Sequence, residues 1–434
     1  MAQKLSASSP GFASAFAALV AKSREVKTNV DGIVAGVLAD VKTRGDSAVI
    51  EYSNRFDRIS LTPATLAFGK AEIDGAAAKC DAKTLGALKE AAMRIRDYHE
   101  RQLPKDEYYT DDSGIGLGWR WTAVSSAGLY VPGGTAALFS SVLMNAVPAK
   151  VAGVQRLVVT MPTPEGKTNP LTLAACAVAG VDEVYRVGGA QAIGMLAYGT
   201  QTVKAVDKIV GPGNAYVTSA KKQVFGTVGI DMIAGPSEVT VVSDAASNPA
   251  WIAADLLAQA EHDASSQSVL ITDNDAFADR VMAAVEKQLA ALPRRETASK
   301  SWNDNGAVIV VQKLEDAAAL VNQIAPEHLE LAVADPKALL KDIRHAGAIF
   351  LGRHTPEAVG DYIAGPSHVL PTSGAARFSS GLGVLDFLKR TSLIDCGSSG
   401  LKAIGPGALA MAEAEVLDAH ALSISLRLQP EGDG

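Results

Sequence analysis

Three of the seven histidines stand beside partners with which they could do chemistry. Gln259 and His262 lie three residues apart at the end of an expected helix over 249–262, so they share a face and can point at one centre. Pro326-Glu327-His328 falls between an expected helix and a strand, a loop position suited to chemistry. There an imidazole beside a carboxylate can exchange protons near neutral pH. Glu415 and His420 lie in a C-terminal helical stretch. Five residues turn a helix by about 500°, which splays the two by about 140°. They share a site only by flanking it, or if the helix ends between them; Glu413 falls closer to the face of His420. Asp361 follows Val359-Gly360 at an expected helix end. Imidazoles with a carboxylate make a sensible zinc set, but HExxH is absent and glutamine is an uncommon ligand, so spacing alone leaves a metal site open. His99, His345 and His354 lack such a setting, and His368, after a Gly-Pro-Ser turn, reads as structural.

Glycine-rich turns form a second group: Gly128-Leu-Tyr-Val-Pro-Gly-Gly134, Gly188-Gly-Ala-Gln191 and Gly211-Pro-Gly-Asn214. Each follows an expected strand, at the carboxyl end where doubly wound sheets bind ligands. Glycine lets backbone N–H groups approach a phosphate, and a following helix N-terminus adds partial positive charge. None is a full GxGxxG; Tyr216 stands where the Gly211 turn would need its third glycine. Each alone fits an ordinary turn, and three in one unit point to a nucleotide or phosphate ligand.

The elements that must position these residues alternate. Apolar spacing of three and four predicts helices over 31–44 and 82–101. Short strands are expected over 116–120, 127–131, 157–160, 183–186 and 208–210, with helices over 170–179, 190–198 and 214–224. The alternation restarts with strands over 238–242, 268–272, 307–311 and 348–351 and helices over 249–262, 276–292 and 314–324. This is the pattern of parallel sheets covered by helices, in two α/β units, one ending near 237 and one near 380. A helical tail over 401–426 hangs on the Gly/Ser-rich stretch 396–400 and could pack on a partner subunit. The echo of Ala234-Gly-Pro-Ser237 in Ala364-Gly-Pro-Ser367 reads as two similar turns.

Composition bounds the class. The chain has 434 residues, 48% hydrophobic and 20% charged, enough for a large core and too apolar for a disordered protein. A net charge of −7 argues against a broad nucleic-acid footprint. No run reaches the roughly 18 apolar residues of a membrane span. Cys80, Cys176 and Cys396 are scattered, which suggests neither a disulfide framework nor a thiolate zinc site. Lys4 and the Ala-rich stretch 11–21 faintly resemble a signal peptide. The reading adopted is a helix opened by Ser9-Pro10 and running into Lys22, Arg24 and Glu25, so the chain is expected to be cytoplasmic.

Longer blocks carry a family resemblance. They are Gly128-LYVPGG, Val187-GGAQAI, Gly211-PGNAYVT, Asp231-MIAGPSEV, Leu257-AQAEHD, Ala325-PEHLEL, Ala364-GPSHVLPT, Arg377-FSSGLGVLDFLKR and the tail Ala412-EAEVLDAH. With these the chain resembles the histidinol dehydrogenases from about residue 25 to 427. The resemblance implies two incomplete Rossmann-like domains with small terminal segments in an intertwined homodimer. Its boundaries would be an N-terminal helical segment over 1–25, a first α/β domain over 26–129 and 239–381, a second over 130–238, and a dimerisation tail over 382–434. It implies the four-electron oxidation of L-histidinol to L-histidine through a bound aldehyde, with NAD and one zinc ion per subunit. By matched positions the zinc ligands would be Gln259, His262, Asp361 and His420, and the catalytic pair Glu327 and His328. Substrate would touch Ser237, Glu415, His328 and the zinc ligands; NAD would touch Tyr130, Gln191 and Asn214. Glu415 and His420 would complete the partner's site. Three other readings stay open: a related NAD-dependent dehydrogenase of another small polyol such as a sulfonated diol, a zinc hydrolase without nicotinamide, and an inactive scaffold.

Overall fold

The computed structural model describes residues 2–23, 30–132 and 139–429. Gly133 and Gly134 of the first glycine turn, and Arg24 and Glu25, lie outside the described residues. The chain forms two compact units, Met1–Arg101 with Ser125–Phe387, and Gln102–Val124 with Leu388–Gly434. Among the described residues no helix is long and apolar enough to cross a membrane.

The first unit holds two parallel sheets. In the smaller, the spatial order is Glu183–Tyr185, Arg156–Thr160, Ser126–Tyr130, Lys208–Val210, Gly229–Ile230. By position in the chain this is the order 3-2-1-4-5. The larger sheet runs Gln3–Ser6, Ala307–Val310, Gln267–Thr272, Glu238–Ser243, His328–Ala332, Ala348–Leu351. Beyond its N-terminal edge strand it repeats the same 3-2-1-4-5 order. In each sheet the order reverses beside the first strand, and that reversal opens a crevice at the sheet edge. The central strands are buried on both faces, so they read as nearly continuous apolar runs such as Leu157-Val-Val159 and Val269-Leu-Ile271.

Packing revises the expected boundaries. Helix Asp31–Arg44 buries Val34, Val37, Leu38 and Val41, one stripe at helical spacing. That stripe shares a core with Val158, Ile193 and Ile209 of the smaller sheet and its helices. Residues 31–57 and strand Ser126–Tyr130 therefore belong with the smaller sheet, not with 239–381 as expected. Conversely, strand Gln3–Ser6 pairs with Ala307–Val310, and Phe16 and Leu19 of helix Phe12–Ser23 join the core of the larger sheet. The N-terminus is thus a strand and a helix built into a sheet.

The second unit has an antiparallel sheet, Leu388–Asp395 against Gly116–Ala123 against Glu107–Thr110. The expected tail helix is two helices, Ser398–Ala414 and Asp418–Leu428. They are separated at Glu415-Val416-Leu417, where Val416 is left-handed at φ 57°. Ile394, Met411, Val416, Leu422 and Leu426 leave apolar side chains exposed here.

Candidate active site

The residues expected to do chemistry gather at the amino edge of the larger sheet, beside its order reversal. Helix Ala317–Ile324 is closed by Ala325 in the left-handed region, φ 52°, and Pro326 then turns the chain toward the sheet. Glu327 precedes strand His328–Ala332, whose first residue pairs with Val239 and Ala348. His328 is therefore a buried strand residue rather than a loop residue. The Glu327 carbonyl accepts from the Ala348 N–H at 2.9 Å, and a Cβ on Gly347 would stand 2.6 Å from that carbonyl oxygen. Only glycine lets the neighbouring strand start this close.

His328 has two differently employed nitrogens. Nδ1 lies 3.0 Å from the Glu238 carbonyl oxygen. A carbonyl can only accept, so Nδ1 carries the hydrogen and Nε2 keeps its lone pair. Nε2 is buried without a hydrogen-bond partner, 3.8 Å from Asp361 Oδ1. Burial pushes the imidazole down to about 3, which leaves it neutral at working pH. Glu327 Oε2 accepts the Glu238 N–H at 2.8 Å and sits 3.7 Å from His328 Nδ1. Burial holds the Glu327 carboxyl well above the usual range. Strand residue Glu238 thus positions both members of the pair through its own peptide groups.

Around His328 stand further polar side chains, one of them with an unpartnered atom. Gln259, at the last turn of helix Pro249–Ala260, is fully buried; its Nε2 is 3.1 Å from His262 Nδ1 and its Oε1 has no partner. Asp361 lies near the end of the short helix Glu357–Tyr362, and burial pushes its carboxyl up to about 6. His262 and His368 lie near enough that their charges oppose protonation of His328. The Nδ1–H of His368 donates to the Asp361 carbonyl at 3.0 Å, and its Nε2 stands 3.2 Å from Ser141 Oγ. Ser141 belongs to helix Phe139–Val151, the first helix after strand Ser126–Tyr130, so His368 ties this site to the smaller sheet. Ser237 is half-buried, immediately before strand Glu238–Ser243. Glu415 and His420 lie in the second unit and are exposed there.

The residues expected to meet a dinucleotide gather at the carboxyl edge of the smaller sheet, at its reversal. Tyr130 ends the first strand, buried, with its hydroxyl accepting the Gly189 N–H at 3.1 Å; burial pushes the phenol up to about 12. Gln191 is buried in the first turn of helix Gly189–Tyr198. Asn214 caps helix Ala215–Val224, its Oδ1 accepting from Tyr216 and Val217 N–H at 3.1 and 3.2 Å. The corresponding carboxyl-edge crevice of the larger sheet is filled instead. There Arg353 makes two 2.6 Å bonds to Asp244, and Ser247 Oγ donates to the Ala332 carbonyl at 2.7 Å.

A family model described as histidinol dehydrogenase matches residues 20–428. The chain belongs to the histidinol dehydrogenase family. It is an oxidoreductase. Its sequence is 62% identical to a histidinol dehydrogenase of Rhodospirillum rubrum over 429 residues, 99% of each chain. It is 59% identical to one of Ruegeria pomeroyi over 428 residues, again 99% of each. The fold is similar to the crystal structure of histidinol dehydrogenase from Elizabethkingia anophelis, with a TM-score of 0.93, 37% identity and 98% of both chains covered.

In this histidinol dehydrogenase the structure also places beside His328 acids that sequence reasoning missed. His328 and Glu330 share one strand face; Asp255 and Gln259, and Glu357 and Asp361, are each one helical turn apart. His328, Gln259 and Asp361 form the upper layer; Glu330, Asp255 and Glu357 form a layer of carboxyls beneath it. Glu357 is 1% exposed, 3.8 Å from His328 Nδ1, and neither of its carboxyl oxygens has a hydrogen-bond partner. His328, Glu357 and Asp361 bring one ligating atom each within 4.8 Å of one another. Burial pushes the Asp255 carboxyl up to about 6, and the nearby Asp255 charge raises Glu330 further. Burial and mutual repulsion hold Glu330 and Glu357 well above the usual carboxyl range. The available signal was the pairing of spacings, i,i+2 on a strand with i,i+4 on two helices.

Proposed function

We propose that the chain oxidises L-histidinol to L-histidine, the closing steps of histidine biosynthesis, in two NAD-linked two-electron steps at one zinc-containing site. The observation that carries this reading is His328: a buried, neutral imidazole whose Nε2 lone pair is unpartnered, with Glu327 beside it, in a histidinol dehydrogenase frame.

The donor set fits zinc. Gln259 Oε1 is a buried acceptor with no partner, His262 Nδ1 stands next to the same side chain, and the half-buried Asp361 carboxyl lies 3.8 Å from His328 Nε2. A buried oxygen left unpaired beside an imidazole and a carboxylate is what a bound cation satisfies. Gln259, His262 and Asp361, with the partner subunit's His420, would hold the ion, which would supply a template that orients the substrate's imidazole and amine. Tyr130, Gln191 and Asn214 would hold NAD at the smaller sheet's crevice, where it would receive the hydrides.

The chain's own residues handle protons and water. His328 Nε2 takes the hydroxyl proton as the first hydride leaves the carbinol carbon, and the resulting aldehyde stays enclosed. Throughout, Nδ1–H remains on the Glu238 carbonyl, whose dipole stabilises the imidazolium that forms. Glu327, ionised for this step, accepts a proton from water as its oxygen adds to the aldehyde carbon. A carboxyl with a raised proton affinity is the stronger base once ionised. His328, after passing its first proton to water, accepts a hydroxyl proton of the hydrate as the second hydride leaves, giving the carboxylate. Burial of both residues keeps bulk water from the aldehyde. The exposed tail residues Glu415 and His420, and the exposed apolar side chains of the second unit, support a homodimer in which each tail completes the partner's site.

NAD reduction with L-histidinol as substrate tests the reading. Turnover of a sulfonated diol with none of L-histidinol would replace it with the polyol reading. NAD must also protect the protein against thermal unfolding, since a ligand that binds only the native state raises apparent stability. No protection would favour a hydrolase.

A further inference from the structure

Behind the Gly211 turn lies a buried ion pair that the reaction chemistry does not use. Lys221, in helix Ala215–Val224, pairs with Asp231, which follows strand Gly229–Ile230; their side chains are 3% and 0% exposed. The two charges grip the two ends of one residue. The Gly211 N–H donates to Asp231 Oδ2 at 2.8 Å, and the Gly211 carbonyl accepts from Lys221 Nζ at 2.8 Å. Asp231 Oδ1 also accepts the Met232 N–H at 2.7 Å. Gly211 itself has φ 111°, and a Cβ there would stand 2.3 Å from the Tyr130 carbonyl oxygen. The gripped residue therefore sits at the order reversal of the smaller sheet, against the strand that ends in Tyr130. Three residues on, Asn214 caps the helix that carries Lys221. Strand, turn, cap, helix and clamp form a closed circuit.

Stability alone does not account for this pair. Desolvating two charges consumes most of their attraction, and well-packed apolar replacements of a buried ion pair are often neutral or stabilising. What the pair does provide is geometry, because it holds both ends of a glycine in a conformation few residues adopt. We propose that Lys221 and Asp231 are positioning residues for the dinucleotide: they hold the 211–214 turn in the shape that receives it. The proposal rests on the reading that NAD binds at this crevice. If the unclamped turn holds that shape about a tenth of the time, the apparent affinity for NAD falls about tenfold.

The test uses zinc-loaded enzyme carrying Lys221→Met with Asp231→Leu, an apolar pair that leaves no charge unpaired, beside Lys221→Arg and Asn214→Ala. The expected result for the apolar pair is a folded enzyme with KM and Kd for NAD raised about tenfold, while KM for L-histidinol and zinc content keep parental values. Lys221→Arg, which retains the charge, recovers part of the NAD affinity. A general packing defect would move both KM values together, and that result overturns the proposal. So does a parental Kd for NAD in the apolar pair. In that case Asn214→Ala separates the causes: weakened NAD binding there leaves the crevice in place and removes only the clamp, whereas unchanged binding removes the crevice reading as well.

Discussion

At the residue scale the two nitrogens of His328 are differently placed. Nδ1–H is committed to the Glu238 carbonyl, and Nε2, which has no partner, is the atom proposed to accept the proton. His328→Asn separates the two, because an amide can still donate to that carbonyl but offers no base. The expected result is a fall in kcat of about 10²- to 10⁴-fold with zinc content kept, read by steady-state rates and metal analysis. Equal loss of zinc and activity would show that His328 is a ligand rather than the base. Glu327 and His328 were legible because a carboxylate, an imidazole and a preceding proline stand together in the chain. Glu238, Glu330, Glu357 and Asp255 were not, because each is a lone acid in an apolar stretch and acquires its meaning only from the two elements packed against it.

At the element scale the instructive feature is strand His328–Ala332. Its polar residues His328 and Glu330 point to one face where a core strand normally carries apolar ones, so the hydrophobic pattern hid it. Exposed strands such as Gln3–Ser6 and Leu388–Asp395 were hidden for the opposite reason: few of their side chains are buried, so they show no alternation. The fully apolar strands and the helices with a clear stripe were legible to within a few residues. The carboxyl layer makes a prediction here. Asp255 is pushed from 3.8 up to about 6 by burial. Below 3.8 both folded and unfolded forms hold the proton, and the group has no effect. Between 3.8 and about 6 only the unfolded form ionises, so stability falls as pH rises; above about 6 the full penalty stands. Its upper bound is about 3 kcal/mol. Asp255→Asn should therefore raise Tm by a few degrees at pH 8, with the gain shrinking toward pH 4, in thermal melts of zinc-loaded protein. A gain independent of pH would mean that the carboxyl is not the strained group.

At the scale of the whole molecule the proposal turns on the tail. Glu415 and His420 could not be placed on one helix face from the sequence, and the break at 415–417 shows why that arithmetic did not apply. The two runs of strand–helix alternation were legible, and each corresponds to one parallel sheet. Which sheet the N-terminal helices cover was not, because an apolar stripe does not name its partner. If the tail completes a neighbour's site, a His420→Asn variant should lose zinc and activity together. Mixed with an inactive His328→Asn variant under subunit exchange, it should recover activity, because one site of each mixed dimer is then intact. No recovery after proven exchange would assign the tail to its own subunit. The central claim is one site performing two oxidations, and its most direct test is stoichiometry. Zinc-loaded enzyme is given a limiting, known amount of L-histidinol and excess NAD, and NADH absorbance is followed to completion. Two NADH per L-histidinol, with L-histidine as product, is the predicted result; one NADH, with the aldehyde released, would contradict it and remove the role assigned to Glu327.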